Sequence, residues 1–118
     1  MKRKVEEVVK DLITQYIDRK PRMVSLKLSW HDDLSEITIS GENLEKKVKY
    51  PFTIPFTSFA QGVIEAYEEV YGKLRVIPVS FREEIYENEK VSLDLYPTGG
   101  AGVFEVWVTY KEDRRRGE

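Results

Sequence analysis

Apolar residues at Val5, Val8, Val9, Leu12, Ile13, Tyr16 and Ile17 recur at helical spacing, while Glu6, Glu7, Lys10, Asp11, Thr14 and Gln15 fill the other side. This stripe predicts a one-sided helix from about Lys4 to Arg19, because Pro21 disfavours helical backbone at Lys20 and cannot extend the hydrogen-bond ladder. The period then drops to two. Val24, Leu26, Leu28 and Trp30 share one parity against Ser25, Lys27 and Ser29, and Ile37 and Ile39 alternate with Glu36, Thr38 and Ser40 after the polar His31-Asp32-Asp33. Strand, turn and strand predict a hairpin.

Val48, Tyr50, Phe52, Ile54 and Phe56 alternate with Lys49, Pro51, Thr53 and Pro55. Two prolines at one parity remove donors from the same side, so this segment is expected to be a sheet edge or an extended chain packed on the core without pairing. Ser58 followed by Gln61 has capping-box spacing and predicts the start of a second helix, whose stripe is Phe59, Val63, Tyr67 and Val70 and whose stop is Gly72. Arg75, Ile77, Val79 and Phe81 suggest a further strand, which Pro78 restricts to an edge or bulge. The acidic stretch from Arg82 to Lys90 reads as a connection or strand extension. Val91, Leu93 and Leu95, then Phe104, Val106, Val108 and Tyr110, flank the glycine-rich loop Thr98-Gly99-Gly100-Ala101-Gly102 and predict the best-defined hairpin of the chain.

The expected fold class is therefore α+β: a two-layer sandwich of a mostly antiparallel sheet of about five to six strands with two helices on one face, in the order α-β-β-(β)-α-β-β-β. Residues 1–111 form a single domain, and 112–118 a flexible charged tail with nothing apolar to bury. The order hints at a duplicated helix-plus-hairpin unit, but sliding one half over the other gives little beyond Lys20 with Lys73 and Arg22 with Arg75, close to chance, so any repeat is architectural. It is similar in outline to the order in type III secretion chaperones, which are dimeric cargo binders, although no motif is shared and their final helix has no counterpart.

Composition narrows the chemistry. The chain has 118 residues, no cysteine, one histidine and a formal net charge of −2. Disulfides, cysteine-based zinc or iron–sulfur sites and thiol nucleophiles are excluded. No metal and no cofactor is expected. No apolar run is long enough for a membrane span and no signal core follows Met1-Lys2-Arg3-Lys4, so a cytoplasmic protein without membrane contact is expected. Charged residues make up 34% of the chain, with two Asn and two Gln, the compositional pattern of proteins from hyperthermophiles.

Candidate chemistry is sparse. His31, Asp32, Asp33 and Glu36 place an imidazole among carboxylates, but their spacing matches no metal motif and their types suit a hairpin tip. No nucleophile elbow accompanies the lone histidine. The glycine-rich loop runs into a strand, not a helix, so it lacks the context of a phosphate-binding loop. A carboxylate-dependent hydrolase would need two acids at a set distance, which 21 acidic residues do not single out.

Two surfaces remain. Arg114, Arg115 and Arg116, with Lys2, Arg3 and Lys4, form terminal basic clusters that would touch nucleic-acid phosphates. Trp107 lies at the parity opposite Phe104, Val106, Val108 and Tyr110, together with Glu105, while Tyr96 and Asp94 share the polar parity across the hairpin. If the helices cover the other face, these four residues form an aromatic patch in a polar setting, the composition of an interface hot spot. The expected function is a non-enzymatic binding or adaptor domain that pairs with a protein partner or with itself as a homodimer. A nucleic-acid-associated accessory protein is the alternative, and a hydrolase is the weakest of the three.

Overall fold

The computed structural model describes residues 4–17, 25–32, 35–97 and 102–111. In chain order the elements are α1 (Val5–Thr14), β1 (Ser25–His31), β2 (Glu36–Gly41), β3 (Leu44–Lys49), α2 (Phe56–Tyr71), β4 (Arg75–Pro78), β5 (Glu84–Glu87), β6 (Val91–Pro97) and β7 (Val103–Tyr110). The strands form one seven-stranded sheet in the order β3-β2-β1-β7-β6-β5-β4. Every ladder is antiparallel. The architecture is α+β with the expected element order and more strands than expected.

The extra strand is β5, taken from the acidic stretch at 82–90. Ile85 and Tyr86 pair with Asp94 and Leu93, and the flanking Glu84 and Glu87 complete the ladder. A strand this close to the sheet edge needs little apolar content, because only part of its surface is covered.

One parity of the central strands is buried. Leu26, Leu28 and Trp30 of β1, Ile37 and Ile39 of β2, Val91, Leu93 and Leu95 of β6, and Val106, Val108 and Tyr110 of β7 form a core with Val9, Leu12 and Ile13 of α1 and Phe59, Val63, Ala66 and Tyr67 of α2. Both helices cover this face. The Tyr67 and Tyr110 hydroxyls lie 2.9 Å apart inside it, so each ring is buried with its polar end bonded.

Several local features depart from the sequence pattern. α1 ends at Thr14 and passes into a turn at Gln15 and Tyr16, with Ile17 still buried. The Ser58–Gln61 capping box is not used: α2 starts at Phe56, its cap position is Pro55 without any side-chain cap bond, and Gln61 bonds Glu65 instead. Proline sets this start, since Pro55 holds extended backbone and the Ser58 and Phe59 N–H groups bond to its carbonyl. The edge strand β3 stops at Lys49, before both prolines; the Tyr50 N–H still bonds to the Ser35 carbonyl at 3.0 Å, and 51–55 then runs on as extended chain outside the sheet. Trp30 fixes it there by donating from Nε1 to the Ile54 carbonyl at 2.7 Å.

At the other end of α2, Gly72 takes a φ of 95°, which favours glycine, and turns the chain into β4. Asn88 clasps this corner. Its Nδ2 donates to the Tyr71 and Lys73 carbonyls at 3.1 and 3.3 Å, and its Oδ1 accepts from the Lys90 and Val91 N–H groups at 2.8 and 3.1 Å.

The two halves are not copies in topology. The strand after α1 is central in the sheet, whereas the strand after α2 is its edge.

Candidate functional site

The sheet face away from the helices is largely polar and only partly exposed, with Ser29 and Thr38 buried on it. One cross-strand row runs from Ile77 and Ile85 through Asp94 and Trp107 to Lys27 and Ser40. The next carries Tyr96, Glu105, Ser29, Thr38 and Lys47. Trp107, Tyr96, Asp94 and Glu105 are thus brought together on adjacent positions of β6 and β7, and Trp107 is 38% exposed. Its indole N–H donates to Glu105 Oε1 at 3.0 Å, and Lys27 Nζ stands 5.3 Å from the ring centroid and 3.8 Å from Glu105 Oε2. The ring is therefore already engaged on its edge and on its face by its own chain. A shallow hollow of about 320 Å³ lies beside it, bounded by Ser25, Lys27, Ser40, Gly41 and Glu42.

Asp94 is the electrostatic centre of this face. Its Oδ1 is closed off from solvent and bonds to nothing. Burial, then the hydrogen bond and charge of the Glu83 carboxyl, raise its pKa from 3.8 to about 6. Two neighbouring carboxyls in this position share a proton more readily than either would alone. Burial and then the charges of Glu105 and Asp94 also push the Tyr96 hydroxyl up.

A second surface lies at the β4–β5 end of the sheet, which α2 leaves uncovered: Val76 shares the helix-side face with Tyr86 and Leu93, whereas Ile77 shares the opposite face with Ile85 and Asp94. Val76, Ile77, Val79 and Phe81 are four of the seven large apolar side chains that stand exposed among the described residues. Phe81 is not inward on a strand as its parity suggests. It sits with Arg82 at the tip of the β4–β5 turn, where Ser80 and Glu83 exchange backbone bonds and Ser80 Oγ accepts from the Arg82 N–H at 3.2 Å. The phenyl ring is 97% exposed.

Beside this tip runs a groove. A cavity of about 570 Å³ is floored by Ala60 and Ile64 of α2, Tyr86 of β5, Leu95 of β6 and Phe104 of β7, and a second of about 450 Å³ continues it toward Trp30 and Gly102. Both share Phe56, Phe81, Arg82 and Phe104, so they form one trough. Its walls are held by ring contacts: Phe56 and Phe104 centroids are 5.6 Å apart, Phe59 meets Phe104 edge-on at 6.1 Å, and Trp30 lies 6.3 Å from Phe56. Glu65, Glu68 and Glu84 line the trough as well. Each carboxylate already accepts a bond within the chain, from Gln61 Nε2, the Leu74 N–H and the Tyr86 hydroxyl respectively.

The sheet edges differ in kind. β3 exposes Glu45, Lys46, Lys47 and Lys49, charges that discourage strand addition. β4 is apolar but poor in donors: the Val79 N–H bonds inward to Glu83, so by ladder alternation Pro78 faces outward with no N–H, and the Leu74 N–H is taken by Glu68. Partners at this end are therefore met through side chains more than through backbone pairing.

The remaining sequence candidates contribute less. His31 closes β1 opposite Glu36 and Val103, and among the described residues no three His, Asp or Glu side chains converge to hold a metal ion. Asp33, Lys2, Arg3, Arg114, Arg115 and Arg116, and most of the glycine-rich loop, lie outside the described residues; Lys4 is exposed at the start of α1. No helix among the described residues is long and apolar enough to cross a membrane.

The groove was hidden in the sequence because its residues come from α2, three strands that follow it and, through Trp30, β1, and no local pattern places these side by side. One local signal points to it: an aromatic and an arginine at the tip of a tight turn, where small polar residues or glycine serve the backbone better. No protein-family model matches the chain, and no curated protein matches it in sequence.

Proposed function

We propose that this chain is a non-enzymatic protein-binding domain whose principal interface is the apolar trough between α2 and the β5–β7 half of the sheet, with Phe81 at its rim. The observation that supports this reading is the concentration of exposed apolar side chains at one end of the sheet, next to a trough walled by interlocked aromatic rings. Exposed aromatic anchors flanking a preformed cleft are the usual composition of an interface centre. The trough is floored by apolar atoms, and its three carboxylates are each committed to a neighbour, which suits recognition better than acid–base chemistry. The Trp107 face is the secondary candidate, since its ring is already occupied by Lys27 and Glu105.

Photo-crosslinking tests the assignment. A benzoylphenylalanine at position 81 is expected to capture protein, and Ile64→Glu in the trough floor to suppress the adduct. Adducts at position 107 but not 81, or adducts at 81 indifferent to Ile64→Glu, would refute the trough as the interface.

A further inference from the structure

We infer that the occupant of the trough is the Phe81–Arg82 turn of a second copy of this chain, in a two-fold dimer where each tip enters the other's trough; this rests on the binding reading above. The fold itself asks for neither residue at the tip: the turn is closed by Ser80 and Glu83, and Phe81 at 97% exposure buries almost nothing in its own chain. An exposed phenyl ring finds its complement in the trough floor of Ile64, Leu95 and Phe104.

Charge points the same way. The Arg82 guanidinium makes no ion pair among the described residues, while Glu65, Glu68 and Glu84 gather on the trough. A second copy brings one arginine to these three acids at the same moment as it brings the ring to the floor. Because tip and trough lie side by side on one surface, a single two-fold rotation satisfies both copies, the self-complementarity that a closed dimer requires. The outward Pro78 and the engaged Leu74 N–H keep the neighbouring edges from zipping into an open-ended sheet.

Light scattering coupled to size exclusion, at two protein concentrations, decides this. The expected mass is twice 13.9 kDa at the higher concentration. Phe81→Asp is expected to weaken the dimer by about 100-fold or more and Arg82→Glu by about 10-fold, whereas Trp107→Ala leaves it intact. Arg82 is exposed and makes no ion pair among the described residues, so Arg82→Glu is expected to leave the unfolding midpoint of the monomer nearly unchanged, which separates its effect from one on folding. A mass of 13.9 kDa at both concentrations overturns the inference, and so does a dimer that survives Phe81→Asp. In the monomer case the crosslink at position 81 reports separately on the binding reading: a foreign adduct suppressed by Ile64→Glu keeps that reading, and no adduct removes both.

Discussion

Gly62 stands in the middle of α2, where alanine would favour helix by about 1 kcal/mol. Gly62→Ala is nonetheless expected to destabilise the protein. A Cβ built there would lie 2.7 Å from both Cβ and Cγ1 of Val9 and 2.8 Å from the Glu6 carbonyl oxygen, against about 3.5–4.0 Å for relaxed contact. Val9 is fully buried and Glu6 contributes backbone, so neither can step aside without shifting α1. Overpacking costs about 1–3 kcal/mol, and three contacts below 3 Å with buried side chain and backbone put this site in the upper part of that range, about 2–3 kcal/mol, so that a net loss of about 1–2 kcal/mol remains after the propensity gain. Urea unfolding followed by far-ultraviolet circular dichroism should show a lower midpoint with an unchanged slope. Val9→Ala in the same chain should rescue little, because Val9 Cβ and the Glu6 oxygen remain. An alanine variant as stable as the parent, or more so, would mean that α1 and α2 do not meet at this glycine.

Three further outcomes follow from contacts described above. Asn88→Ala removes four hydrogen bonds that tie the end of α2 to the β5–β6 turn and should cost about 2 kcal/mol in chemical denaturation; a loss under about 0.5 kcal/mol would show the clasp to be idle. Trp30→Phe deletes the buried bond to the Ile54 carbonyl, and should lower stability by about 1–2 kcal/mol and speed amide exchange across 50–55; unchanged exchange would refute its role as the tether. Asp94 binds its proton more tightly when folded, so its contribution is fully present below pH 4 and is lost as pH rises through about 6. Partial exposure screens the effect to about 1 kcal/mol. Asp94→Asn should therefore raise stability by that amount at pH 8 and not at pH 3, and equal effects at the two values would exclude Asp94 as the titrating group.

The periodic segments were legible from residue order alone, because burial on one side imposes its own repeat. Both helices and the polar parity that assembles Trp107, Tyr96, Asp94 and Glu105 follow from spacing. Elements decided by neighbours were less legible. β5 offers only Ile85 and Tyr86 between glutamates and is a strand because β4 and β6 flank it. The start of α2 was displaced from Ser58 because Pro55 dictates the backbone upstream of it. Phe81 fits a strand parity by sequence, yet the turn at Ser80 lifts it out of the ladder. The trough depends on how far α2 reaches across the sheet, a distance that no local pattern contains.

The sheet is sewn shut by its earliest and latest strands. β2 and β3 extend the sheet outward from β1 on one side, β6, β5 and β4 from β7 on the other, and only the β1–β7 ladder, with pairs such as Leu28 and Val106, joins the two halves. A ribosome releasing this chain therefore makes one half-sheet with a raw inner edge and holds it unzipped until residues 103–110 emerge. Loop closure between residues 28 and 106 should set the folding rate, and truncation between β6 and β7 leaves two half-sheets in one chain that share no ladder.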